Sequence, residues 1–261
     1  MKTQEVISYI IEWLNDYIKN SGMKGFVVGV SGGIDSAVVS TLAAATGKPV
    51  LLLEMPIHQP IEQVSRAREH MDFLKNKFSN VLTKRVDLTN SFDILTDALE
   101  VDEGNTNTNL SLANTRSRLR MTTLYYYAGL YNFLVCGTGN KIEDFGVGFF
   151  TKYGDGGVDI SPIADLLKSQ VFELAKEMGI SQEIQKAKPT DGLWGDDRSD
   201  EDQLGATYPE LEWAMSVHKN HVSSDFSGRQ KEVFEIYERL NKAAQHKIKP
   251  IPICIIPKEL M

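Results

Sequence analysis

Long apolar runs are missing from this 261-residue sequence. No window of about 18 consecutive apolar residues occurs, which excludes a membrane-crossing helix. The stretch from Met1 to Asn20 also lacks the basic start and unbroken apolar run of a signal peptide: Ile, Trp, Leu and Tyr alternate there with Glu, Asp and Lys. Cysteine is scarce. Cys136 and Cys254 lie far apart, each inside an apolar run. Free cysteine packs as a small hydrophobe, so both are expected to be buried thiols in a reducing cytoplasm. Two cysteines and five scattered histidines give no zinc cluster of usable spacing. Positive charge is in deficit. A net charge of −7 argues against long nucleic acid as a partner, while leaving room for a small anion in a local basic site. Internal repeats and low-complexity segments are absent too.

What is present is core material. The sequence is 42% hydrophobic, enough for one large α/β domain or two small ones. Val6, Ile7, Ile10, Ile11, Leu14 and Ile18 give Glu5–Lys19 one apolar helical face. Gly25–Val30, Val50–Glu54, Asn80–Val86 and Phe133–Gly137 read as strands, and Ser36–Ala45, Ile61–Phe78, Asn90–Leu99 and Ser111–Tyr131 as the helices between them. This alternation predicts a single α/β domain over residues 1–261, a Rossmann-like doubly wound parallel sheet with helices on both faces. Gly139–Asp159 is rich in Gly and Asp without a strong period, and a loop that long in a compact domain is usually functional. Ala164–Met178 and Glu232–Gln245 return to helical spacing. Asp102–Asn109 and Asp191–Asp202 read as mobile loops, and Lys249–Pro257, with three prolines, as an extended tail.

The chemistry begins at Gly29-Val30-Ser31-Gly32-Gly33-Ile34-Asp35-Ser36, between the first strand and its helix. Open α/β sheets bind ligands outside the carboxyl ends of their strands, and a helix N-terminus offers unpaired N–H groups to an anion. Gly32 and Gly33 allow close backbone approach. Ser31 and Ser36 add hydroxyls. Asp35 cannot favour bare phosphate, so its role is to hold Mg²⁺ against it. The loop is neither a Walker A sequence, since no lysine follows, nor G-x-G-x-x-G. The competing reading is a tight turn with an ordinary cap, since Ser and Asp both cap helices.

Ser-Gly-Gly-x-Asp-Ser after a first strand resembles the signature of the ATP pyrophosphatase group, whose members cleave ATP between the α- and β-phosphates to adenylate an acceptor. Further blocks narrow the resemblance. Asn114-x-x-x-Arg118-x-Arg120-Met121, Gly137-Thr138-Gly139-Asn140-Lys141-Ile142-Glu143, Gly148 through Asp159, Pro162, Lys168, Lys188-Pro189-Thr190 and Gln245-His246-Lys247 are similar to the NAD synthetase family, in family order and over most of the chain.

The resemblance implies an ammonia-dependent ligase that amidates deamido-NAD through an adenylate, with ATP and Mg²⁺. It casts residues 29–36 as the triphosphate cradle, Asp35 and Glu143 as Mg²⁺ ligands, and Thr138, Lys168 and Thr190 as ATP contacts. Met55 falls where adenine is held. Arg118, Lys152, Asp159, His246 and Lys247 match contacts to deamido-NAD, and Asp155 matches an acid at the ammonia site that binds ammonium and takes its proton. Lys168 thereby supplies the charge that a Walker lysine would.

Turn and solvated-helix roles remain alternatives for Asp155, Asp159, Arg118, His246 and Lys247. The sequence departs from the pattern between Glu143 and Lys152, where the spacing is one residue longer than in some relatives. Asp144 is therefore an alternative ligand, and nothing is carried over to 191–202. A phosphate loop near residue 30 leaves no room for an N-terminal glutaminase domain, so free ammonia is expected. A homodimer is implied, with the apolar faces of Val6–Ile18 and of the long helix as candidate surfaces. The rival readings are another amidating enzyme of the group, of the GMP synthetase type, and a non-catalytic nucleotide-binding protein.

Overall fold

Four short strands form one all-parallel sheet in a computed structural model that describes every residue except 103, 191 and 194–197. They are β1 (Gly25–Gly29), β2 (Val50–Glu54), β3 (Val81–Arg85) and β4 (Phe133–Val135), in the order β3-β2-β1-β4. In register, Phe26 faces Val50 on one side and Leu134 on the other. β1 and β2 are buried on both faces, so they read as continuous apolar runs rather than alternating ones.

Alternate residues serve opposite layers. Phe26, Val28, Val50 and Leu52 pack with α1 (Thr3–Ser21), α2 (Ile34–Ala45), α3 (Ile61–Lys77) and α6 (Lys168–Glu177). Val27, Leu51, Leu53 and Val135 pack with α4 (Thr89–Ala98) and α5 (Thr108–Tyr131). The doubly wound sheet expected from the alternation is therefore observed. β2 and β4 flank β1 on opposite sides, which places the topological switch point at the end of β1.

A third core lies beyond the sheet. Ile142 and Val147 of a π-helix (Ile142–Val147) pack there with Leu204, Leu211, Val233 and Tyr237. These come from α8 (Asp200–Leu204), α9 (Tyr208–Val217) and α10 (Gly228–Ile248). The small helix α7 (Gln182–Lys186) completes the set.

Several expectations need correction. The helix expected from Ala164 starts only at Lys168, because residues 162–165 form turns and Leu166 a bend. The region Gly139–Asp159 contains the π-helix, whose longer period no 3.6-residue pattern reveals. Of the expected loop Asp191–Asp202, Asp191 and residues 194–197 lie outside the described residues, while α8 already begins at Asp200 with Ser199 as its cap. Residue 103 of the loop expected at Asp102–Asn109 also lies outside them, and α5 starts inside that loop at Thr108. The apolar face of α1 is not a free surface: Ile7, Ile10, Leu14 and Ile18 are buried in the chain's own core. Cys136 is buried, but Cys254 is exposed, because the proline-punctuated tail leaves Ile251, Ile253 and Ile255 without cover.

Candidate functional site

The loop after β1 folds upon its own hydroxyls. Ser36 Oγ donates to the Gly33 carbonyl (3.0 Å) and accepts from the Ser31 amide (3.2 Å). Ser31 Oγ accepts from the Gly33 amide (3.2 Å) and lies 3.1 Å from Ser36 Oγ. Gly32 has φ +83°, and a Cβ there would stand 2.5 Å from the Gln63 carbonyl oxygen, so only glycine fits. No side chain caps α2 at Gly33. Its first N–H groups thus remain available to an anion.

Opposite this helix end stands Lys168, the first residue of α6 and 3% exposed. A cation at a helix N-terminus opposes the helix dipole, so something must compensate it there. Two carboxylates do: Lys168 Nζ is 2.5 Å from Asp35 Oδ2 and 3.0 Å from Glu143 Oε1. Burial alone would push the ammonium towards neutrality, but the pull of Asp35 and Glu143 outweighs it and holds Lys168 above the usual lysine range.

Glu143 is fixed from a second direction by the Tyr208 hydroxyl, which donates to Oε1 at 2.6 Å. Burial raises the Glu143 pKa in spite of Lys168. Asn140, fully buried, ties the two carboxylates' supports together. Its Nδ2 donates to Asp35 Oδ1 (3.0 Å), and its Oδ1 accepts from the Ile142 and Glu143 amides (3.2 Å each). Asp144 stands apart, against Gly139, where a Cβ would lie 2.2 Å from its carboxylate. Burial, then the neighbouring Glu143, Asp155 and Asp35, push its pKa up to about 8.

Ser31, Gly33, Asp35, Ser36, Glu143, Asp144 and Lys168 line one cleft at the carboxyl ends of the strands, together with Met55, Thr138, Asp155 and Thr190. Its wall is latched across three segments. Arg120 on α5 donates through Nε to the Met55 carbonyl (3.0 Å) and through a guanidinium nitrogen to Gln59 Oε1 (2.7 Å). Gln59 Nε2 then donates to the Gly192 carbonyl (2.6 Å). Thr190 Oγ1 accepts from the Gly192 amide (3.2 Å). Asp35, Glu143 and Asp144 offer only oxygen donors, which fit Mg²⁺, an ion held by one or two carboxylates plus substrate phosphates. Among the described residues no three acidic, histidine or cysteine side chains converge as a complete metal cage.

Of the residues expected to touch a second substrate, Asp155 lines the cleft. Arg118, Lys152, Asp159, His246 and Lys247 do not, and their polar groups tie one segment to another. Arg118 Nε donates to the Lys152 carbonyl (3.3 Å), Lys152 Nζ to the His246 carbonyl (2.7 Å), and Lys247 Nζ to the carbonyls of Gly148 and of Phe150 (2.7 Å). Asp159 accepts from the Val135 amide (2.8 Å) and from Tyr125 (3.0 Å). Asp155 Oδ1 accepts from Ser117 Oγ (2.7 Å) and the Thr151 amide (2.9 Å), so it both shapes its turn and faces the cleft.

Sequence reasoning gave no role to Asn140, Arg120, Gln59 or Tyr208. Asn140 and Arg120 lie inside the quoted blocks, so their signal was available. Tyr208 sits in Thr207-Tyr208-Pro209-Glu210, a capping box that announces a helix but not the direction of its tyrosine.

A family model described as NAD synthase matches residues 6–251. The chain is 37% identical to the NH(3)-dependent NAD(+) synthetase of Syntrophomonas wolfei, over 100% of this chain and 99% of that one. Among solved structures, it superposes on the NMN synthetase of Francisella tularensis with a TM-score of 0.84, at 32% identity and 99% coverage of both chains. The NH3-dependent NAD synthetase of Campylobacter jejuni gives a TM-score of 0.76 at 26% identity, covering 98% of this chain and 100% of that one.

Proposed function

The chain belongs to the NAD synthase family, and we infer from that membership and from the cleft that it is the ammonia-dependent ligase. It forms the carboxamide C–N bond of NAD from deamido-NAD, ATP and ammonia. The observation that carries this reading is the buried Lys168 ammonium between Asp35 and Glu143, facing an uncapped helix N-terminus.

A carboxylate is a poor acyl electrophile and must be activated. The nicotinate oxygen attacks the α-phosphorus of ATP, the α–β P–O bond breaks, and pyrophosphate leaves. Negative charge accumulates on the phosphates. The α2 amides and Lys168 are placed to stabilise it, the ammonium already held in position and dry. Asp35 and Glu143 are the carboxylates that would hold Mg²⁺, which would supply further charge neutralisation there. Ammonia then attacks the acyl carbon, the C–O bond to the adenylate breaks, and AMP leaves. Ammonium must lose a proton first, and Asp155 is the carboxylate in the cleft suited to bind it and take that proton.

The chain is further read as a cytoplasmic homodimer. No described helix is long and apolar enough to cross a membrane, and Tyr126 and Leu130 stand exposed on α5. Purified protein given ATP, Mg²⁺, ammonium and deamido-NAD is expected to release NAD and AMP in equal amounts. Absence of NAD overturns the reading. The likeness to the Francisella protein favours one second reading, in which the acceptor is the mononucleotide acid that yields NMN. Nicotinate mononucleotide in place of deamido-NAD, compared by kcat/KM, decides between them.

A further inference from the structure

The segment that carries Glu143 and Asp144 is wound as a π-helix, Ile142–Val147. The i→i+5 ring is wider than an α-turn, and such turns recur at functional sites. The ring leaves carbonyls without their ordinary partners. The Phe149 amide reaches back to the Glu143 carbonyl (2.8 Å), so it cannot serve Phe145. Unpaired carbonyls in a packed setting cost free energy, so another donor must reach them.

The donors come from α10. Asn241 Nδ2 donates to the Gly146 carbonyl (2.6 Å) and to that of Phe145 (3.3 Å). Gln245, one turn on, donates to Asn241 Oδ1 (3.0 Å), which sets which face of the amide points at the π-helix. Lys247 covers the next carbonyls, those of Gly148 and Phe150. Burial lowers the Lys247 pKa, as befits an ammonium directed inward rather than into solvent. Gly148 makes this approach possible. It sits at φ +63° against Ala244, whose Cβ would be 2.1 Å from any Cβ placed on it.

We propose that Asn241, oriented by Gln245, and Lys247 are positioning residues: α10 is a splint that holds the π-helix in register, and so sets Glu143 and Asp144 against Asp35 and Lys168. At its other end the π-helix is held by Asn140, which also donates to Asp35. The two ends therefore share the task of fixing the distance between two carboxylates from different segments. The kinetic consequence of this splint rests on the amidation reading; its structural part does not.

The test uses the full chain carrying Asn241→Leu, Gln245→Leu or Lys247→Met, with Lys242→Met as an exposed control on the same helix. Amide hydrogen exchange of residues 142–150 in the nucleotide-free protein is read first. Asn241→Leu is expected to speed exchange there at least tenfold while peptides of α1 and α2 stay unchanged, and Gln245→Leu to act in the same direction more weakly. Kinetically, Asn241→Leu is expected to lower kcat at least tenfold and raise half-saturating Mg²⁺ several-fold, with the acceptor KM within twofold. Lys247→Arg should recover most of what Lys247→Met loses.

Unchanged exchange at 142–150 in Asn241→Leu overturns the splint whether or not the parent makes NAD. A uniform loss in step with the folded fraction overturns it as well. If the parent makes no NAD while exchange responds as expected, the amidation reading fails and the splint stands.

Discussion

Lys168 concentrates the residue-scale argument. Lys168→Met keeps most of the buried volume and removes the charge between Asp35 and Glu143. Losing one preorganised donor of this kind lowers kcat on the order of 10²–10³. The rate of AMP release at saturating ATP, with circular dichroism to confirm folding, checks it; an unchanged rate would remove Lys168 from the chemistry. Asp155→Asn keeps an Oδ1 acceptor for Ser117 and Thr151 while removing the charge. The ammonium KM should rise on the order of tenfold, with the fold intact. A KM and pH profile matching the parent would leave Asp155 as a turn residue only.

His70, far from this chemistry, is buried against Ser40 (3.0 Å), and burial pushes its pKa from 6.5 down to about 4. The folded state resists the proton that the unfolded state accepts. Stability from this site is therefore complete above pH 6.5 and lost as pH falls towards 4, by about 3 kcal/mol over that range. Urea unfolding of His70→Gln across the same window should show a shallower decline. At this scale Asp35, Glu143 and Lys168, named from the loop motif and the family resemblance, do come together in one cluster. Tyr208 and Gln59 were not legible, because their contacts to Glu143 and to Arg120 and Gly192 depend on what the fold places opposite them.

At the scale of elements, β2 was readable residue for residue, and α3 to within one residue, because apolar runs and amphipathic spacing mark buried strands and packed helices directly. The failures have physical causes. The π-helix has no 3.6-residue signature. α7 and α8 are single turns whose caps, Ser181 and Ser199, carry the only local signal. The start of α6 matters, because it places Lys168 on the first turn, where its side chain enters the cleft.

For the molecule as a whole, the exposed Tyr126 and Leu130 of α5 are the surface on which the dimer proposal stands. Leu130→Glu is expected to give monomers at micromolar concentration in sedimentation equilibrium, where the parent gives dimers; a parent that is already monomeric rejects the proposal. The parallel, doubly wound sheet was implicit in the alternation of strands and helices, while its strand order came only with the structure. The third core was not implicit, since nothing in the sequence of α9 and α10 says that they close over a segment about sixty to a hundred residues earlier.

The pairing of Gly25 with Phe133 carries a consequence for synthesis of the chain. More than a hundred residues must leave the ribosome before the central strand gains its second neighbour, and parallel pairings of such sequence separation form slowly. Lys168, Tyr208 and Asn241 emerge later still. A nascent chain therefore presents its phosphate loop long before it has the counter-charge and the splint, so the proposed ability to spend ATP arises only after Asn241 has emerged.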